Sequence, residues 1–232
     1  RWDQRAARTA EKYLAISSVV RERIQWVYGI DAPTLFPPFS PAVAEGEQEP
    51  IAELAGWAGA DGTEGGHYLV VSRLQPYKHV DAVIEAFAQM PERRLLVIGR
   101  GPEKQRLVDM APLNVRLVEG LSDAQMRWAY ANATALIAAS HEDFGLTPLE
   151  AGAHGVQTIA LKAGGYLDTV EQGVTGSFFD TPESEAIADA VLSVKADAYG
   201  SAVVIRGRAE KFSEARFVDA IRRAVTEVIR AE

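Results

Sequence analysis

The sequence predicts an α/β fold built on a doubly wound parallel sheet, and two observations support this prediction. Short apolar runs alternate along the chain with segments whose apolar residues follow a helical period. The run 68–71 is apolar without interruption, which is typical of a strand buried on both faces of a parallel sheet. At 232 residues the chain can bury a sizeable core. We therefore expect a Rossmann-like architecture.

The first quarter of the chain has the weaker pattern. Residues 2–12 are charged and rich in alanine and predict a helix, whereas 13–18 are compatible with a short strand. Residues 19–28 predict a second helix with Gly29 as its C-cap, and the double proline at 37–38 excludes a helix there. Residues 39–66 are acidic and aperiodic. They predict a linker or flexible loop, with one short helix near 51–57.

From His67 onward strands and helices alternate clearly. The predicted strands are 68–71, 95–98, 115–118, 133–139, 156–161 and 176–179. One predicted helix ends before Pro91, and the others in this part of the chain cover 122–131, 148–154, 165–172, 182–194 and 214–230. The helix before Pro91 has Val80, Val83, Ile84 and Phe87 at helical spacing. A capping box, Ser122 to Gln125, opens the helix that follows the third strand.

Composition narrows the function classes. The chain has 24 basic and 32 acidic side chains and a net charge of −8, which argues against unaided nucleic-acid binding. It contains no cysteine, so disulfides and cysteine–zinc sites are excluded. No apolar run reaches the roughly 20 residues of a membrane-spanning helix, and no signal peptide is visible. We expect a cytoplasmic protein, with at most weak peripheral membrane association of the full-length chain.

The most informative stretch is the acidic segment 141–150. It follows the apolar run 133–139 and precedes a helix, and it holds Glu142 and Glu150 with a glycine between them. Thr147 and Pro148 predict the helix start, with Thr147 as N-cap. An open parallel sheet binds ligands in loops of this kind, outside the carboxyl ends of its strands. Free backbone N–H groups beside two carboxylates suit a ligand with both phosphate and hydroxyl groups.

Four segments resemble one known family. Glu142 and Glu150 form an E-x7-E pair within E-D-F-G-L-T-P-L-E-A, which resembles the signature of the large retaining glycosyltransferase family (group 1, or family 4) with the GT-B fold. Residues 72–78 (S-R-L-Q-P-Y-K), 99–102 (G-R-G-P) and 164–170 (G-G-Y-L-D-T-V) resemble further motifs of that family, in the expected order. The resemblance covers roughly residues 13–230. It implies that the chain is the C-terminal, nucleotide-sugar-binding half of a GT-B fold.

The resemblance also divides the chain. It implies that residues 1–38 are the remnant of an N-terminal domain and the interdomain crossover, that 39–66 are the linker, and that 67–232 are the nucleotide-sugar-binding domain with a C-terminal helix. The chain begins with Arg1 rather than methionine, so we expect a fragment that is inactive alone.

The resemblance assigns roles to individual residues. Arg73 and Lys78 would bind the diphosphate and stabilise the charge that develops as it leaves, and Glu142 would act beside the donor sugar. These three are the candidate catalytic residues. The further donor-binding candidates are Gly99, Arg100, Val118, Phe144, Gly145, Leu146, Thr147 and Glu150, the last for the ribose hydroxyls and residues 144–147 through their backbone amides. We expect no metal and no cofactor beyond the nucleotide-sugar substrate.

Simpler interpretations remain open for several of these residues. Arg73 and Lys78 could be a solvated surface pair, Glu142 an exposed loop acid, and Glu150 the glutamate of a capping box with Thr147. Gly164 and Gly165 could form only a turn. The four histidines, at 67, 79, 141 and 154, show no metal-ligand spacing.

The expected reaction is transfer of a sugar to an acceptor hydroxyl with retained configuration. The segments 76–78 and 142–145 resemble the mannosyltransferase branch, so GDP-mannose is the first donor expected and a UDP-sugar the second. The acceptor, a sugar or a lipid-linked glycan, would bind through the missing N-terminal domain. Retention could use a carboxylate nucleophile or front-face attack assisted by the leaving phosphate, which we favour.

Two other classes compete with this function. One is a non-catalytic sugar-nucleotide-binding module, in which the pocket persists without transfer. The other is a nicotinamide-dependent dehydrogenase, but the segment 99–102 lacks the third glycine of the dinucleotide fingerprint and follows an inner strand.

Overall fold

A computed structural model describes residues 2–54, 66–194 and 200–231 of the chain. Within these ranges six strands form one parallel sheet in the order β3-β2-β1-β4-β5-β6. The strands are β1 His67–Val71, β2 Leu95–Ile98, β3 Val115–Val118, β4 Ala133–Ala138, β5 Thr158–Leu161 and β6 Gly176–Phe179. The doubly wound parallel sheet predicted from the sequence is confirmed.

Ten α-helices are described around this sheet. They are α1 Trp2–Ala6, α2 Ser18–Tyr28, α3 Val80–Ala88, α4 Lys104–Met110, α5 Asp123–Ala131, α6 Thr147–Ala153, α7 Tyr166–Thr169, α8 Ser184–Ser193, α9 Ala202–Ala209 and α10 Glu214–Ala231. The predicted C-cap of α2 is confirmed, because Gly29 has a φ of 68° and its N–H donates to the Gln25 carbonyl. The predicted capping box at the start of α5 also forms.

Both faces of the sheet are covered, which is why its inner strands are largely apolar. Alternate residues of β1 point to opposite faces, so Tyr68 and Val70 pack with α3 and α8 while Leu69 packs with α5 and α6. Phe87 of α3 is fully buried in the first layer. Full burial of each such side chain contributes on the order of 2 kcal/mol to folding.

Several predicted elements differ from the structure. Residues 13–18 form no strand, only a single bridge between Ala15 and Thr34. The first helix ends at Ala6, and the helix at 165–172 is shortened to the single turn of α7. The helices α4 and α9 are additional to the predicted set. In each case the local pattern is too short for its period to identify the element.

The segment 39–66 is described as far as residue 54. Short 3₁₀ helices cover Pro41–Ala44 and Ala52–Leu54. Ile51 and Leu54 are buried against the α5 face of the sheet, so this part of the predicted linker packs on the core. The rest of the predicted helix near 51–57 lies outside the described residues. None of the described helices combines the length and the apolar character needed to cross a membrane.

The buried histidine at the start of β1 couples stability to pH. His67 Nε2 donates to the Ala129 carbonyl at 2.9 Å, and the ring stacks on Trp128. Burial lowers the pKa of His67 to about 4, against the opposing effect of that hydrogen bond. The unfolded chain takes up the proton near pH 6.5, before the folded chain does. The contribution is therefore complete above pH 6.5 and is lost as the pH falls from there to about 4.

We predict that lowering the pH from 7.5 to 5 costs the protein about 2 kcal/mol of unfolding free energy through His67 alone. His67→Gln keeps a donor for Ala129 without a titrating ring, so it should remove that part of the pH dependence. Urea unfolding of the wild type and of the variant at pH 7.5 and pH 5 measures this difference in unfolding free energy. His141→Gln, at an exposed histidine, is the matched control, and equal slopes for the two variants would contradict the assignment.

Candidate functional site

The sheet creates a cleft where its strand order reverses. β1 and β4 are neighbours at the centre, and the connections that follow them lead to opposite sides. Loops therefore diverge at the carboxyl ends of these two strands, which is where doubly wound sheets bind ligands. A cavity of about 890 Å³ lies at this point. Its size is in the range of small-molecule sites.

The cavity gathers nearly all the residues that the sequence singled out. Its wall includes Arg73, Lys78, Gly99, Arg100, Glu142, Phe144, Gly145, Leu146, Thr147 and Glu150. Val118 is the exception, because it packs half-buried at the edge of the core, and Glu119, Gly120 and Leu121 line the cavity after β3 instead. Segments far apart in sequence thus converge on one cleft with cations and carboxylates in its wall.

The loop after β1 is held by glycines in the loop after β2. A side chain at Gly99 would lie 1.9 Å from the Ser72 carbonyl oxygen, and one at Gly101 would lie 2.2 Å from that of Leu74. This close approach lets the Leu74 N–H donate to the Arg100 carbonyl at 2.9 Å. The G-R-G-P segment therefore fixes the backbone that carries Arg73.

Arg73 and Lys78 reach the cleft from this loop. Arg73 is exposed and donates to the Tyr77 hydroxyl at 3.2 Å, and Lys78 Nζ lies 5.0 Å from the centre of the Tyr77 ring. Lys78 ends the 3₁₀ helix Pro76–Lys78, and α3 begins only after His79. His79 has a φ of 52°, and this left-handed residue separates the two helical segments.

Lys78 forms an ion pair with Glu142 that is largely shielded from solvent. The lysine side chain is 11% exposed and the glutamate side chain 25%. Glu142 Oε1 also accepts from the Ser140 hydroxyl at 2.6 Å. Because the single Ser140 proton is used there, Tyr166 donates to Ser140 Oγ, at 3.1 Å. Burial raises the pKa of Tyr166 above its ordinary value, so the phenol remains a donor at neutral pH.

Glu142 therefore has a fixed position rather than that of a free loop acid. Its backbone is fixed as well, because the Glu142 carbonyl accepts from the Gly165 N–H at 2.8 Å. A side chain at Gly165 would lie 2.2 Å from the Phe144 backbone, so the Gly164–Gly165 pair supports the acidic loop in addition to forming a turn. Ser140 and Tyr166 were not identified from the sequence. The signal that was available concerns Ser140, which is a polar residue directly after an apolar strand.

Glu150 is positioned by a different hydroxyl. Tyr130 donates to Glu150 Oε2 at 2.6 Å. The capping box with Thr147, the simpler role that the sequence left open for Glu150, does not form. The predicted N-cap at Thr147 is wrong, because α6 begins at Thr147 itself and its N-cap is Leu146, which makes no side-chain cap bond. Glu150 lies in the first turn of α6 and lines the cavity.

The glycine between the two acids shapes the loop that carries the backbone donors. Gly145 has a φ of 86°, and a side chain there would lie 2.5 Å from Cε1 of Tyr166. The N–H groups of Gly145, Leu146 and Thr147 donate to no described residue. Phe144 is buried, stacked on Phe36 at 5.9 Å. The loop thus offers backbone donors beside the two carboxylates.

The histidines and carboxylates form no metal-ligand cluster among the described residues. His67 is buried in the sheet, and His154 stacks on Tyr130 with ring centres 5.3 Å apart. Burial, followed by the charges of Arg127 and Arg206, lowers the pKa of His154 to about 4. His141 is exposed beside Glu142.

Comparison with known proteins places these features in a family context. Residues 62–215 match the family model described as glycosyl transferases group 1. Glycogen synthase from Pseudomonas fluorescens is 31% identical over 168 residues, which is 68% of this chain and 34% of that protein. Glycogen synthase from Thermus thermophilus is 34% identical over 130 residues, covering 53% of this chain and 30% of that protein. The chain spans about a third of the length of these relatives.

Solved structures share the fold. HepE from Anabaena, in complex with UDP-glucose, aligns with a TM-score of 0.79 at 20% identity and covers 97% of this chain and 68% of that chain. Sucrose-phosphate synthase from Thermosynechococcus elongatus aligns with a TM-score of 0.79 at 19% identity, over 99% of this chain and 61% of that chain. Both agree with the GT-B half predicted from the sequence.

We predict that Gly145→Ala destabilises the acidic loop by more than the left-handed backbone alone explains. The strain of a positive φ costs about 1 kcal/mol, and the contact with Tyr166 should add about 1–3 kcal/mol. Gly173→Ala is the matched control, because Gly173 has a φ of 76° and open space around it. Equal losses of unfolding free energy in the two variants would show that Tyr166 does not constrain the loop.

Proposed function

The chain belongs to the glycosyl transferases group 1 family, and from this premise we propose that it is the nucleotide-sugar-binding half of a retaining glycosyltransferase. The reaction moves a sugar from a nucleoside diphosphate to an acceptor hydroxyl with its configuration retained. One observation carries the proposal. A single cleft at the reversal of strand order combines two cations, two positioned carboxylates and free backbone donors.

The cations serve the diphosphate. Arg73 can donate two bonds to phosphate oxygens, and Lys78 supplies a compact charge. Both stabilise the negative charge that grows on the leaving diphosphate, which is the task that a metal ion performs in other transferases. We therefore propose that transfer needs no metal ion. The ion pair between Lys78 and Glu142 must open or be shared when the diphosphate binds.

Glu142 serves the sugar. Its Oε1 is engaged by Lys78 and Ser140, and its Oε2 has no partner among the described residues. The second oxygen is thus available to accept a sugar hydroxyl beside the anomeric carbon. We propose front-face attack assisted by the leaving phosphate, with Glu142 supporting positive charge near the reacting carbon. Gly99 and Arg100 complete the donor wall.

The comparisons change the order of the donor candidates. HepE is described with UDP-glucose, and the pneumococcal O-GlcNAc transferase GtfA with UDP and GlcNAc. The curated relatives are glycogen synthases. We propose a nucleoside diphosphate glucose, with UDP as the first base and ADP next, ahead of the GDP-mannose that the sequence favoured.

We propose that the acceptor binds through another domain of the longer protein. Residues 2–38 and α10 would connect that domain to the nucleotide-sugar-binding half. α2 is fixed to the donor half at two points: Asp168 accepts from the Ser18 N–H at 2.8 Å, and Arg23 pairs with Asp143 at 2.9 Å. Lys12 of the N-terminal segment pairs with Glu227 of α10. Trp26 of α2 is 86% exposed, as expected for a residue next to an interdomain contact.

We predict that the chain binds UDP, and that Arg73→Ala and Lys78→Ala each weaken binding about tenfold or more, because each removes a charge-assisted bond worth roughly 1.5–3 kcal/mol. Calorimetric titration with UDP, ADP, GDP and NAD measures this and identifies the base. Arg216→Ala is the matched control, at an exposed arginine of α10 outside the cavity.

NAD binding in place of these nucleotides would contradict the proposal and support a dehydrogenase. The absence of binding by any nucleotide would contradict it as well. Transfer separates an enzyme from a binding module: the full-length protein should transfer glucose from UDP-glucose, with retention, at the same rate with and without EDTA. Nucleotide binding without transfer would support the module, and loss of activity in EDTA would overturn the metal-independent mechanism.

A further inference from the structure

Tyr130 lies outside the cavity lining and donates a hydrogen bond to one of the lining residues, Glu150. The phenol is 4% exposed, and it is the last residue but one of α5. Its hydroxyl donates to Glu150 Oε2, while its ring stacks on His154 with an angle of 11° between the planes. Glu150 and His154 are one helical turn apart, so both contacts of Tyr130 fall on the same face of this turn.

The two contacts have different consequences. The stack with His154 fixes the ring, and therefore the point from which the hydroxyl donates. The hydrogen bond uses one of about four lone-pair sites on the Glu150 carboxylate. The remaining lone pairs on Oε1 and Oε2 stay available to a ligand. The plane of the carboxylate is fixed by a donor that is itself rigid. A glutamate without such a partner has three rotatable bonds to order when a ligand binds, which can cost up to about tenfold in affinity.

We propose that Tyr130 is a positioning residue that orients the Glu150 carboxylate toward two neighbouring hydroxyls and so makes the cavity selective for ribose over 2′-deoxyribose in a bound nucleoside diphosphate. This inference rests on the proposed function and on the role that the family resemblance implies for Glu150, which is to accept the ribose hydroxyls. Orientation is decisive because a pair of adjacent hydroxyls can donate to one carboxylate only when both oxygens face them.

The phenol of Tyr130 stays protonated over the pH range in which binding is measured. Burial, reinforced by the neighbouring charge of Glu150, raises the pKa of Tyr130 well above its ordinary value. The phenol therefore remains a donor to the carboxylate at neutral and mildly alkaline pH. Selectivity based on this contact should accordingly be constant from pH 7 to 9.

The test compares UDP with 2′-deoxy-UDP in the full chain. Tyr130→Phe keeps the ring, its stack and its volume while removing only the hydroxyl. We expect it to weaken UDP binding about tenfold and 2′-deoxy-UDP binding no more than about twofold, so that the preference for ribose falls about fivefold or more. If the titrations identify ADP or GDP as the bound nucleotide, that nucleotide and its 2′-deoxy form replace the uridine pair.

Tyr68→Phe is the matched control for the loss of a buried phenol hydroxyl. Tyr68 is 3% exposed, accepts from Arg93 at 2.9 Å and packs on the other face of the sheet. The Tyr68→Phe variant should keep the ribose preference of the wild type even if its melting temperature is lower. A second check uses the Glu150→Ala background, in which Tyr130→Phe should have no further effect on either nucleotide.

The outcomes separate the two proposals. Wild-type protein that binds no nucleoside diphosphate overturns the proposed function, and this inference with it. Wild-type protein that binds UDP while Tyr130→Phe weakens both nucleotides equally, or neither, overturns only the role of Tyr130. Equal weakening would mean that the hydroxyl supports the fold of the α5–α6 contact and not the selectivity of Glu150.

Discussion

The constraint on which the site depends is the reversal of strand order between β1 and β4. Parallel strands require crossover connections, and connections that leave adjacent strands in opposite directions must separate at the carboxyl edge. That separation opens the cleft, and it assigns the cation-bearing loop after β1 to one wall and the acidic loop after β4 to the other. The chemistry of the site follows from which residues come directly after these two strands.

The two acids of the cleft share a design in which buried hydroxyls hold carboxylates at the edge of the core. Tyr166 acts on Glu142 through Ser140, and Tyr130 acts on Glu150 directly. A phenol suits this task, because its apolar ring can be buried while its hydroxyl needs a partner. The carboxylate accepts the hydrogen bond, and the contact holds it in one orientation. Core packing and site geometry are therefore linked by the same side chains.

This linkage explains what the sequence could and could not predict. The sheet and its long helices follow from periodicity, and the residues at the strand ends follow from motif spacing, as Arg73 and Glu142 show. The N-cap predicted at Thr147 was wrong because the chain is already helical at that residue. Tyr130 and Tyr166 were missed because their roles depend on contacts between residues distant in sequence, which no local pattern encodes. Ser140, which directly follows an apolar strand, had a local signal that was not used.

The aromatic contacts of Phe144 extend the same logic to the chain outside the sheet. Phe144 packs on Phe36 and on Phe212, and Phe36 and Phe212 also contact each other, at 5.3 Å between ring centres. The Phe39 N–H donates to the Phe212 carbonyl at 2.8 Å, so the two outer segments are joined by backbone as well. The loop that carries the backbone donors is thus packed against the segment that contains Phe36 and the segment that contains Phe212. Because a close-packed cluster resists small displacements, the position of this loop depends on where those segments lie, and the cleft is coupled to them through three aromatic rings.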